Sequence, residues 1–308
     1  MKKSVQKVSV IKPPGLVAGD LIGIISPAGP VNKPDLQAGL KKLKTSGFKI
    51  RIAPHVYNTK GYLAGEDEAR LDDLHAMFRN QDIKAVLCAR GGYGSMRLLE
   101  RIQYDLIRNN PKIFVGYSDI TALLMAFHTM TGLITFHGPM VREFATGLHD
   151  NWVDMLHLFS SNNPFQLDIN DGAVLIPGRA AGTLIGGNLS MLCHLAGTPF
   201  LPFFDGCILF VEEKGEPLYR IDRMLTHLTL TGILKGLSAI IAGTFEGCGD
   251  ISAIDDLLKK MALDLNIPLV TRLPVGHGQK NQTLPLGLTA ELDTNLKTLS
   301  IMEVCFKE

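Results

Sequence analysis

KIFVGYSDITALLMAF, residues 112–127, is the stretch that decides the predicted fold, because it sets a serine between a strand and a helix. Residues 113–115 form a short apolar run of β-branched and aromatic side chains, which is typical of a buried strand. After Ser118 the apolar residues recur at helical spacing as far as Phe127, so the period changes at the serine. We therefore expect the Ser118 hydroxyl to project from a sharp strand-to-helix corner, beside a backbone N–H and the positive end of the helix dipole. That is the geometry of a nucleophile elbow.

A second interpretation of Ser118 is structural. Serine is among the commonest N-cap residues and aspartate is favoured in the first turn, so Ser118 and Asp119 also fit a simple helix start. The G-x-S-x-G motif of α/β-hydrolases is incomplete, since Gly116 supplies its first glycine but Ile120 replaces the second. Both interpretations remain open on this stretch alone.

The composition is that of an ordinary soluble globular protein. The chain has 308 residues, of which 46% are hydrophobic and 20% charged, and this length favours two domains. A formal net charge of +1, without a basic stripe, gives no indication of nucleic-acid binding. The first residues are too polar for a signal peptide, and no apolar stretch approaches the length of a membrane span. We therefore expect a cytoplasmic protein without a membrane partner.

The cysteines indicate neither a disulfide framework nor a zinc site. They are odd in number, scattered and never spaced as C-x-x-C, at Cys88, Cys193, Cys207, Cys248 and Cys305. Most of them lie in apolar runs, so we expect small buried hydrophobic side chains.

Strands and helices alternate along the first half of the chain. Apolar runs predict strands at residues 21–26, 49–53, 85–88, 113–115 and 134–137. Such alternation favours a parallel sheet with right-handed crossovers, whose ligand sites lie at the carboxyl ends of the strands. The loop at residues 90–94, Ser118 and His137 all fall at the carboxyl ends of predicted strands, so we expect them at one edge of the sheet.

The alternation stops at residues 161–179, where Asn, Pro and Gly residues separate short apolar pieces. We place a domain boundary here, which gives an N-terminal domain at residues 1–165 and a C-terminal domain at residues 166–308. The second domain is expected to be mixed α/β, with strands at 207–211, 237–244, 289–292 and 296–304 and helices at 189–196, 217–230 and 254–263.

The loop Arg90-Gly91-Gly92-Tyr93-Gly94 has three interpretations. Its glycines let the backbone approach a ligand closely, as in a phosphate cradle, but neither G-x-x-x-x-G-K-[ST] nor G-x-G-x-x-G is present. A plain tight turn fits equally well. In the third interpretation, one of its N–H groups is a second oxyanion donor facing Ser118, because neighbouring strand ends of a parallel sheet lie close together.

A nucleophilic serine needs a base, and the base needs an acid that orients it. Among nine histidines, His277 stands in a glycine-flanked loop outside any periodic pattern, while His137 at a strand end competes with it. Glu212 follows an apolar run, so we expect its carboxylate at the end of a buried strand. Glu213 and Glu216 are expected to be exposed partners in salt bridges. Residue patterns alone do not pair these groups.

The chain resembles the L,D-carboxypeptidase family of serine peptidases, which includes muramoyltetrapeptide carboxypeptidases and microcin immunity proteins. The matching motifs occur in the family's order and span most of the chain. They are RGGYG at 90–94, GYSDI at 116–120, HGP at 137–139, GTLIGGN at 182–188, VEE at 211–213 with YRIDR at 219–223, and GHG at 276–278. Each motif is weak alone, but the set is highly specific.

The resemblance implies a Ser-His-Glu triad of Ser118, His277 and Glu212. It also implies an oxyanion hole formed by the backbone N–H groups of Asp119 and Gly92. The implied fold is an N-terminal flavodoxin-like or amidotransferase-like parallel-sheet domain and a smaller C-terminal mixed α/β domain with a barrel-like sheet. The active site is expected between them.

The activity that the resemblance implies is hydrolysis of the L,D amide bond that releases terminal D-alanine from murein tetrapeptides in cell-wall recycling. No metal or organic cofactor is implied, and the family suggests a homodimer. Arg90, Arg220 and Lys280 lie near the matched motifs and are candidates for binding the substrate. Many relatives carry aspartate at the position of Glu213, which leaves the triad intact but changes its surroundings.

Three other functions remain open. A microcin-immunity type of enzyme cleaves acyl-sulfamoyl adenylates or related peptide–nucleotide conjugates. A non-catalytic muropeptide-binding protein would keep the fold without turnover, although the intact set of Ser118, Glu212 and His277 argues against it. A nucleotide-binding protein built on the glycine loops is the third.

Overall fold

The computed structural model describes residues 9–146 and 152–307, and its strands form two β-sheets. The strands are β1 (Leu21–Ile25), β2 (Lys49–Ile52), β3 (Ile83–Cys88), β4 (Ile113–Gly116), β5 (Thr135–His137), β6 (Gln166–Asp168), β7 (Ala173–Ile176), β8 (Arg179–Asn188), β9 (Cys207–Lys214), β10 (Ala239–Glu246), β11 (Leu269–Thr271), β12 (Leu284–Leu286), β13 (Thr289–Asp293) and β14 (Thr298–Ile301). The α-helices are α1 (Lys33–Thr45), α2 (Asp67–Arg79), α3 (Tyr104–Asn109), α4 (Thr121–Thr131), α5 (Glu143–Thr146), α6 (Trp152–Phe159), α7 (Leu189–Leu195), α8 (Leu218–Leu230) and α9 (Ile251–Leu265). Two 3-10 helices occupy Ser95–Arg101 and Ser118–Ile120.

The first sheet has six strands in the order β12-β5-β4-β3-β1-β2, and β1 to β5 run parallel. Its central strands are apolar throughout; in β3 every residue except Lys84 is buried. Strands of this kind occur where helices cover a parallel sheet, and α1, α2 and α4 pack against this one. The order of β1 to β5 is that of flavodoxin-like folds, which confirms the fold expected for the N-terminal part.

The second sheet has eight strands in the order β6-β14-β13-β8-β9-β10-β11-β7, and β8 to β11 run parallel. Within the described residues, β6 and β7 each pair on one side only, so the sheet is open. The prediction of a barrel-like sheet is therefore wrong on one point: the described strands do not close into a barrel. Both edge strands are short and carry exposed residues, so water can satisfy their outer backbone groups.

β12 belongs to the C-terminal part of the chain but joins the first sheet. It pairs antiparallel with β5, and Leu284 lies opposite His137. The segment between β11 and β12 therefore runs from the second sheet to the first, and it carries His277. This crossing puts His277 at the junction of the two sheets.

β8 is the longest strand, yet the sequence does not predict it. Its glycines interrupt any alternating pattern, and the same glycines explain how it packs. A side chain at Gly182 would collide with the carbonyl oxygen of Gly206, and one at Gly186 with that of Phe210. β8 thus lies so close to the neighbouring backbone that only glycine fits at these positions.

Two of the predictions from the sequence concerned a membrane span and a signal peptide. In the part of the chain that the structure describes, no helix is long and apolar enough to cross a membrane. The first eight residues, on which the expectation about a signal peptide depends, lie outside the described residues.

Candidate active site

Ser118 stands directly after Tyr117, at the corner between β4 and the 3-10 helix that leads into α4. Its φ is +62°, in the left-handed region that non-glycine residues rarely adopt. The N-cap position belongs to Tyr117 for the 3-10 helix and to Ile120 for α4, and neither start has a side-chain capping bond. The interpretation of Ser118 as an N-cap therefore does not describe this corner. Backbone strain of this kind clusters at functional sites.

Ile120, which replaces the second glycine of the hydrolase motif, is accommodated by Gly116. A Cβ atom at Gly116 would lie 2.7 Å from Cγ2 and 2.9 Å from Cβ of Ile120, closer than packed atoms approach. Ile120 itself is fully buried. The corner thus keeps its tight turn with a glycine on one side of Ser118 only.

The glycine loop after β3 packs against Ser118. A Cβ atom at Gly91 would lie 3.1 Å from Cβ and 3.4 Å from Oγ of Ser118, so a side chain there would crowd the hydroxyl. Gly92 has a φ of +115°, and a Cβ at this residue would lie 3.2 Å from Cα of Gly29. The loop lies beside the serine, as the oxyanion interpretation requires.

Asp119 ties the corner to the end of the same loop. Its Oδ2 accepts a 2.9 Å hydrogen bond from the backbone N–H of Ser95, and its carbonyl accepts a 2.6 Å hydrogen bond from the Ser95 hydroxyl. Both residues are buried. The serine corner and the glycine loop are therefore held in a fixed relation.

His277 and Glu212 form a buried pair. Nδ1 of His277 lies 2.6 Å from Oε2 of Glu212, whose side chain is fully buried. Burial raises the pKa of Glu212, but the charge and hydrogen bond of His277 outweigh it, and the net pKa is lowered. Burial lowers the pKa of His277, but the charge and hydrogen bond of Glu212 outweigh it, and the net pKa is raised. The pair therefore favours a charged imidazolium next to a carboxylate.

The backbone N–H groups of both glycines beside His277 donate hydrogen bonds that hold the loop in place. The N–H of Gly276 donates to Oδ1 of Asn281 at 2.9 Å, and the N–H of Gly278 donates to Oγ1 of Thr244 at 2.9 Å. A Cβ at Gly276 would lie 2.7 Å from Oε2 of Glu212, so glycine makes room for the carboxylate. Sequence patterns gave no signal for these contacts, because Thr244 stood only at the end of the strand predicted at 237–244 and Asn281 lies in no predicted element or motif.

Ser118 and His277 are neighbours through Tyr117. The centroids of the Tyr117 and His277 rings are 4.7 Å apart, and Tyr117 immediately precedes the serine. Among the described side chains, the Ser118 hydroxyl has no hydrogen bond, so the structure does not bring Ser118 and His277 into direct hydrogen-bond contact. Catalytic hydrogen bonds commonly tighten only when substrate binds.

His137, the competing histidine, lies in the apolar interior. Its ring packs 4.8 Å from that of Phe210 and 5.6 Å from that of Tyr117. In the described part of the chain neither ring nitrogen has a hydrogen-bond partner, and burial lowers the pKa of His137 to about 4. Because no carboxylate orients it, His137 lacks the arrangement that His277 has.

Glu213 is buried, so the expectation of an exposed salt-bridge partner is wrong. β9 continues through Lys214, and Glu213 therefore points into the protein from within the strand. Its oxygens accept hydrogen bonds of 2.7–2.9 Å from Nδ2 of Asn188, N–H and Oγ of Ser190 and N–H of Lys214. Glu216 does form the expected ion pair, at 3.2 Å from Arg220.

The three basic candidates occupy different surroundings. Arg90 is half-buried at the glycine loop, where Nη1 donates a 2.9 Å hydrogen bond to the carbonyl of Pro30. Its Nη2 would lie 3.6 Å from a Cβ at Gly92. Arg220 is exposed on α8, and Lys280 is exposed three residues after His277. Of these three candidates, only Arg90 belongs to the loop beside Ser118.

Tyr117 and Glu143 form a second polar contact that the sequence did not indicate. The Tyr117 hydroxyl donates a 2.6 Å hydrogen bond to Oε1 of Glu143, and both side chains are buried. Tyr117 lies within the GYSDI motif, but its role as a packing partner of His277 appears only in three dimensions. Glu143 belongs to no motif.

The cysteines are all free, and four of them are buried while Cys193 is half-buried. Within residues 9–146 and 152–307, no group of three His, Cys, Asp or Glu side chains is arranged to hold a metal ion.

The site lies in a chain that matches two family models. Residues 22–138 match the LD-carboxypeptidase N-terminal domain, and residues 181–292 match the LD-carboxypeptidase C-terminal domain. Ser118 and the glycine loop fall in the first match, and Glu212 and His277 fall in the second.

Named relatives cover nearly the whole chain. A Bacillus subtilis protein named "Probable murein peptide carboxypeptidase" is 37% identical over 305 residues, which cover 94% of each protein. The crystal structure of muramoyltetrapeptide carboxypeptidase from Oxalobacter formigenes has a TM-score of 0.82 and 33% identity, covering 92% of this chain and 99% of that one. The MccF-like protein from Bacillus anthracis has a TM-score of 0.88 and 29% identity, covering 96% of this chain and 100% of that one.

Proposed function

The chain belongs to the LD-carboxypeptidase family, and from this premise we propose that it is a serine-type L,D-carboxypeptidase acting on murein tetrapeptides. The reaction is hydrolysis of the L,D amide bond that joins the terminal D-alanine to the rest of the peptide. The observation that carries the proposal is the 2.6 Å contact between His277 and Glu212 beside the strained corner of Ser118.

In the proposed mechanism, the Ser118 hydroxyl attacks the scissile carbonyl while Nε2 of His277 takes its proton. Glu212 accepts a hydrogen bond from Nδ1–H, which holds the imidazole in the required tautomer and stabilises the imidazolium. The C–N bond then breaks, the imidazolium returns the proton to the leaving amine, and D-alanine departs from an acyl-enzyme. Water deprotonated by His277 hydrolyses the ester and regenerates Ser118.

We assign the oxyanion hole to the backbone N–H groups of Asp119 and Gly92. The tetrahedral intermediates carry a negative oxygen, which fixed N–H donors stabilise without reorganisation. The packing of Gly91 on Ser118 and the two hydrogen bonds between Asp119 and Ser95 support this assignment.

Recognition of the terminal carboxylate is assigned to Arg90. A carboxypeptidase needs a cation or N–H donors near the scissile bond, and arginine matches a carboxylate well. Arg90 is the first residue of the glycine loop, and among the described atoms its buried Nε has no hydrogen-bond partner. Arg220 forms an ion pair with Glu216, and both Arg220 and Lys280 are exposed, so we do not assign the carboxylate to either of them.

The test is mass spectrometry of purified protein incubated with three synthetic peptides. We expect release of D-alanine from the murein tetrapeptide, with little cleavage of the D-alanyl-D-alanine pentapeptide or of an all-L tetrapeptide. A longer peptide moves the free carboxylate away from Arg90, and an inverted terminal centre exchanges methyl and hydrogen in a closed pocket. Equal kcat/KM for all three peptides would contradict an L,D-exopeptidase. No turnover of any peptide, with the fold intact, would favour the non-catalytic binding protein.

A second activity is supported by the similarity to the MccF-like protein. Enzymes of the microcin-immunity type cleave peptide–nucleotide conjugates, and the same Ser118, His277 and Glu212 would serve that reaction. The discriminating measurement compares kcat/KM for an acyl-sulfamoyl adenylate with that for the tetrapeptide. A higher value for the conjugate would make the immunity-type reaction the main one.

The two proposed domains supply different residues of the active site. We propose an N-terminal domain at residues 1–165 that supplies Ser118 and the glycine loop, and a C-terminal domain at residues 166–308 that supplies Glu212 and His277. We further propose that the protein acts in the cytoplasm as a homodimer, as the family resemblance suggests. Light scattering of the purified protein tests the dimer, and a monomer would refute it.

A further inference from the structure

Tyr117 packs against the imidazole of His277 and is itself held at its far end. Its side chain is 4% exposed, and the two ring planes meet at 57° with their centroids 4.7 Å apart. The hydroxyl donates a 2.6 Å hydrogen bond to Oε1 of Glu143. A buried tyrosine anchored in this way keeps its ring in one place, so it offers His277 a fixed surface.

Glu143 opens α5 and is 8% exposed. Its second oxygen, Oε2, accepts a 3.0 Å hydrogen bond from the backbone N–H of Met140, so the carboxylate is fixed from two sides. Glu143, Tyr117 and His277 come from three separate parts of the chain. Their arrangement is therefore a feature of the assembled fold, and it places a second buried carboxylate at the hydroxyl end of Tyr117, whose ring contacts His277.

Several titratable groups face His277 from the surrounding elements. They are Glu212 and Lys214 on β9, Glu143 on α5, His137 on β5 and Tyr117 after β4. Besides burial and the charge and hydrogen bond of Glu212, two further charges act on His277. The charge of Lys214 lowers the pKa of His277, and the charge of Glu143 raises it. His137 and Tyr117 are neutral near pH 7, because burial lowers the pKa of His137 to about 4 and raises that of Tyr117 well above its ordinary value.

We propose that Tyr117 and Glu143 are positioning residues for His277. Glu143 fixes the Tyr117 hydroxyl, the Tyr117 ring fixes the orientation of the imidazole, and the Glu143 carboxylate stabilises the imidazolium that forms when Ser118 attacks. Both residues act through His277. The inference rests on the proposed role of His277 as the base.

The physical need for such support follows from the geometry of the pair. A hydrogen bond between Nδ1 and Glu212 fixes one atom of the imidazole but leaves rotation about that bond free. The Tyr117 ring, whose plane meets that of the imidazole at 57°, restricts this rotation from one side. When both the position and the ring plane of the imidazole are fixed, fewer of its orientations are unproductive, and the reaction is faster.

The first experiment needs no turnover. The pKa of His277 is measured by NMR titration in the Ser118→Ala background, with and without Glu143→Gln. Glutamine keeps a hydrogen-bond acceptor for Tyr117 but removes the charge, so the pKa of His277 is expected to fall by roughly 0.5–1 unit. An unchanged pKa would overturn the electrostatic part of the proposal, whether or not the protein cleaves murein peptides.

Lys214→Gln is the matched charge control. Lys214 lowers the pKa of His277, so its removal should raise that pKa, opposite in sign to Glu143→Gln. Lys214 is exposed, and its effect should disappear at about 1 M salt, whereas the effect of the buried Glu143 should persist. Shifts of the same sign, or an effect of Glu143 that salt abolishes, would contradict the arrangement proposed here.

The second experiment uses kinetics on the tetrapeptide. Tyr117→Phe keeps the ring but removes the anchor, so kcat should fall roughly tenfold while KM changes little. Glu143→Gln should move the acidic limb of kcat/KM to lower pH by the shift seen in the NMR titration. Tyr117→Phe combined with Glu143→Ala should lose less than the product of the two single losses, because each change removes the same hydrogen bond. Wild-type kcat in folded Tyr117→Phe, or independent losses, would refute the positioning role.

Discussion

Nδ1 of His277 and Oε2 of Glu212 lie 2.6 Å apart, although 65 positions separate the two residues in the chain. Glu212 lies inside β9 in the second sheet, whereas His277 lies on the segment that returns to the first sheet through β12. The pair forms because the segment that carries His277 packs along β10, next to β9. The N–H of Thr244 donates to the carbonyl of Val275, and the N–H of Gly278 donates to Oγ1 of Thr244. Changes that displace either partner should affect catalysis before they affect the fold.

Ser118→Ala should abolish turnover and leave the fold intact. The substitution removes the proposed nucleophile but few packing contacts, and serine and alanine meet the same strain at a φ of +62°. We expect kcat to fall by several orders of magnitude, as in other triads, with nearly unchanged peptide affinity. Enzyme assays and calorimetric titration with the tetrapeptide measure both. Wild-type activity in the folded variant would remove Ser118 from the mechanism.

Glu212→Gln should lower kcat strongly while KM stays similar. Glutamine is close in size to glutamate but carries no charge, and its amide can favour the wrong tautomer of His277. A loss of about 10²–10⁴ in kcat is expected from the behaviour of comparable triads. Steady-state kinetics with circular dichroism as the control for folding checks this. A loss below about threefold would show that the buried contact is structural.

Activity should fall on the acid side of neutrality. His277 must be neutral to accept a proton, and Glu212 raises its pKa above the ordinary value of about 6.5, outweighing the effect of burial. The acidic limb of kcat/KM should therefore lie above pH 6.5 or so. Glu212→Gln should move the limb to lower pH in its residual activity. A rate that stays constant through the histidine range would exclude His277 as the base.

Gly276→Ala should separate the histidine from its acid. Gly276 has a φ of +111°, and a Cβ there would lie 2.7 Å from Oε2 of Glu212. Gly249→Ala is the matched control, because Gly249 has a φ of +101° but no atom within 4 Å of its Cβ position. Both variants should lose stability through backbone strain of about 1 kcal/mol or more, measured by urea unfolding. Only Gly276→Ala should also lose activity, and equal kcat in the two variants would contradict this.

His137 should make the protein sensitive to acid. Its folded pKa is lowered to about 4 by burial, so below its ordinary pKa the unfolded state binds a proton that the folded state does not. The stability from neutral His137 is present above about pH 6.5 and is lost as the pH falls toward 4. Between pH 7 and pH 4.5 the loss should be roughly 2–3 kcal/mol. His137→Leu should reduce this difference in urea unfolding, and an unchanged difference would show that another group is responsible.

The prediction that Glu213 is an exposed salt-bridge partner was wrong. A charged residue directly after an apolar run reads as the end of a strand, yet β9 continues through Lys214 and Glu213 is buried. Its carboxyl oxygens accept hydrogen bonds from Asn188, Ser190 and Lys214. Asn188 ends β8, which the sequence did not predict, and Ser190 lies in the first turn of α7, a helix that was predicted without its contact to Glu213. The burial of a carboxylate depends on what covers it, and sequence periodicity carries no information about that.

The sequence by itself determined the strand–helix alternation of the first sheet, the corner at Ser118 and the order of the family motifs. These features depend on side-chain period and turn chemistry within a few residues, so they can be read locally. Only the tertiary structure decided the open second sheet, the return of β12 to the first sheet, and the contacts that join His277 to Glu212 and Tyr117 to Glu143. Those contacts depend on the register and packing of segments that are far apart in the chain, and every local pattern is compatible with more than one such arrangement.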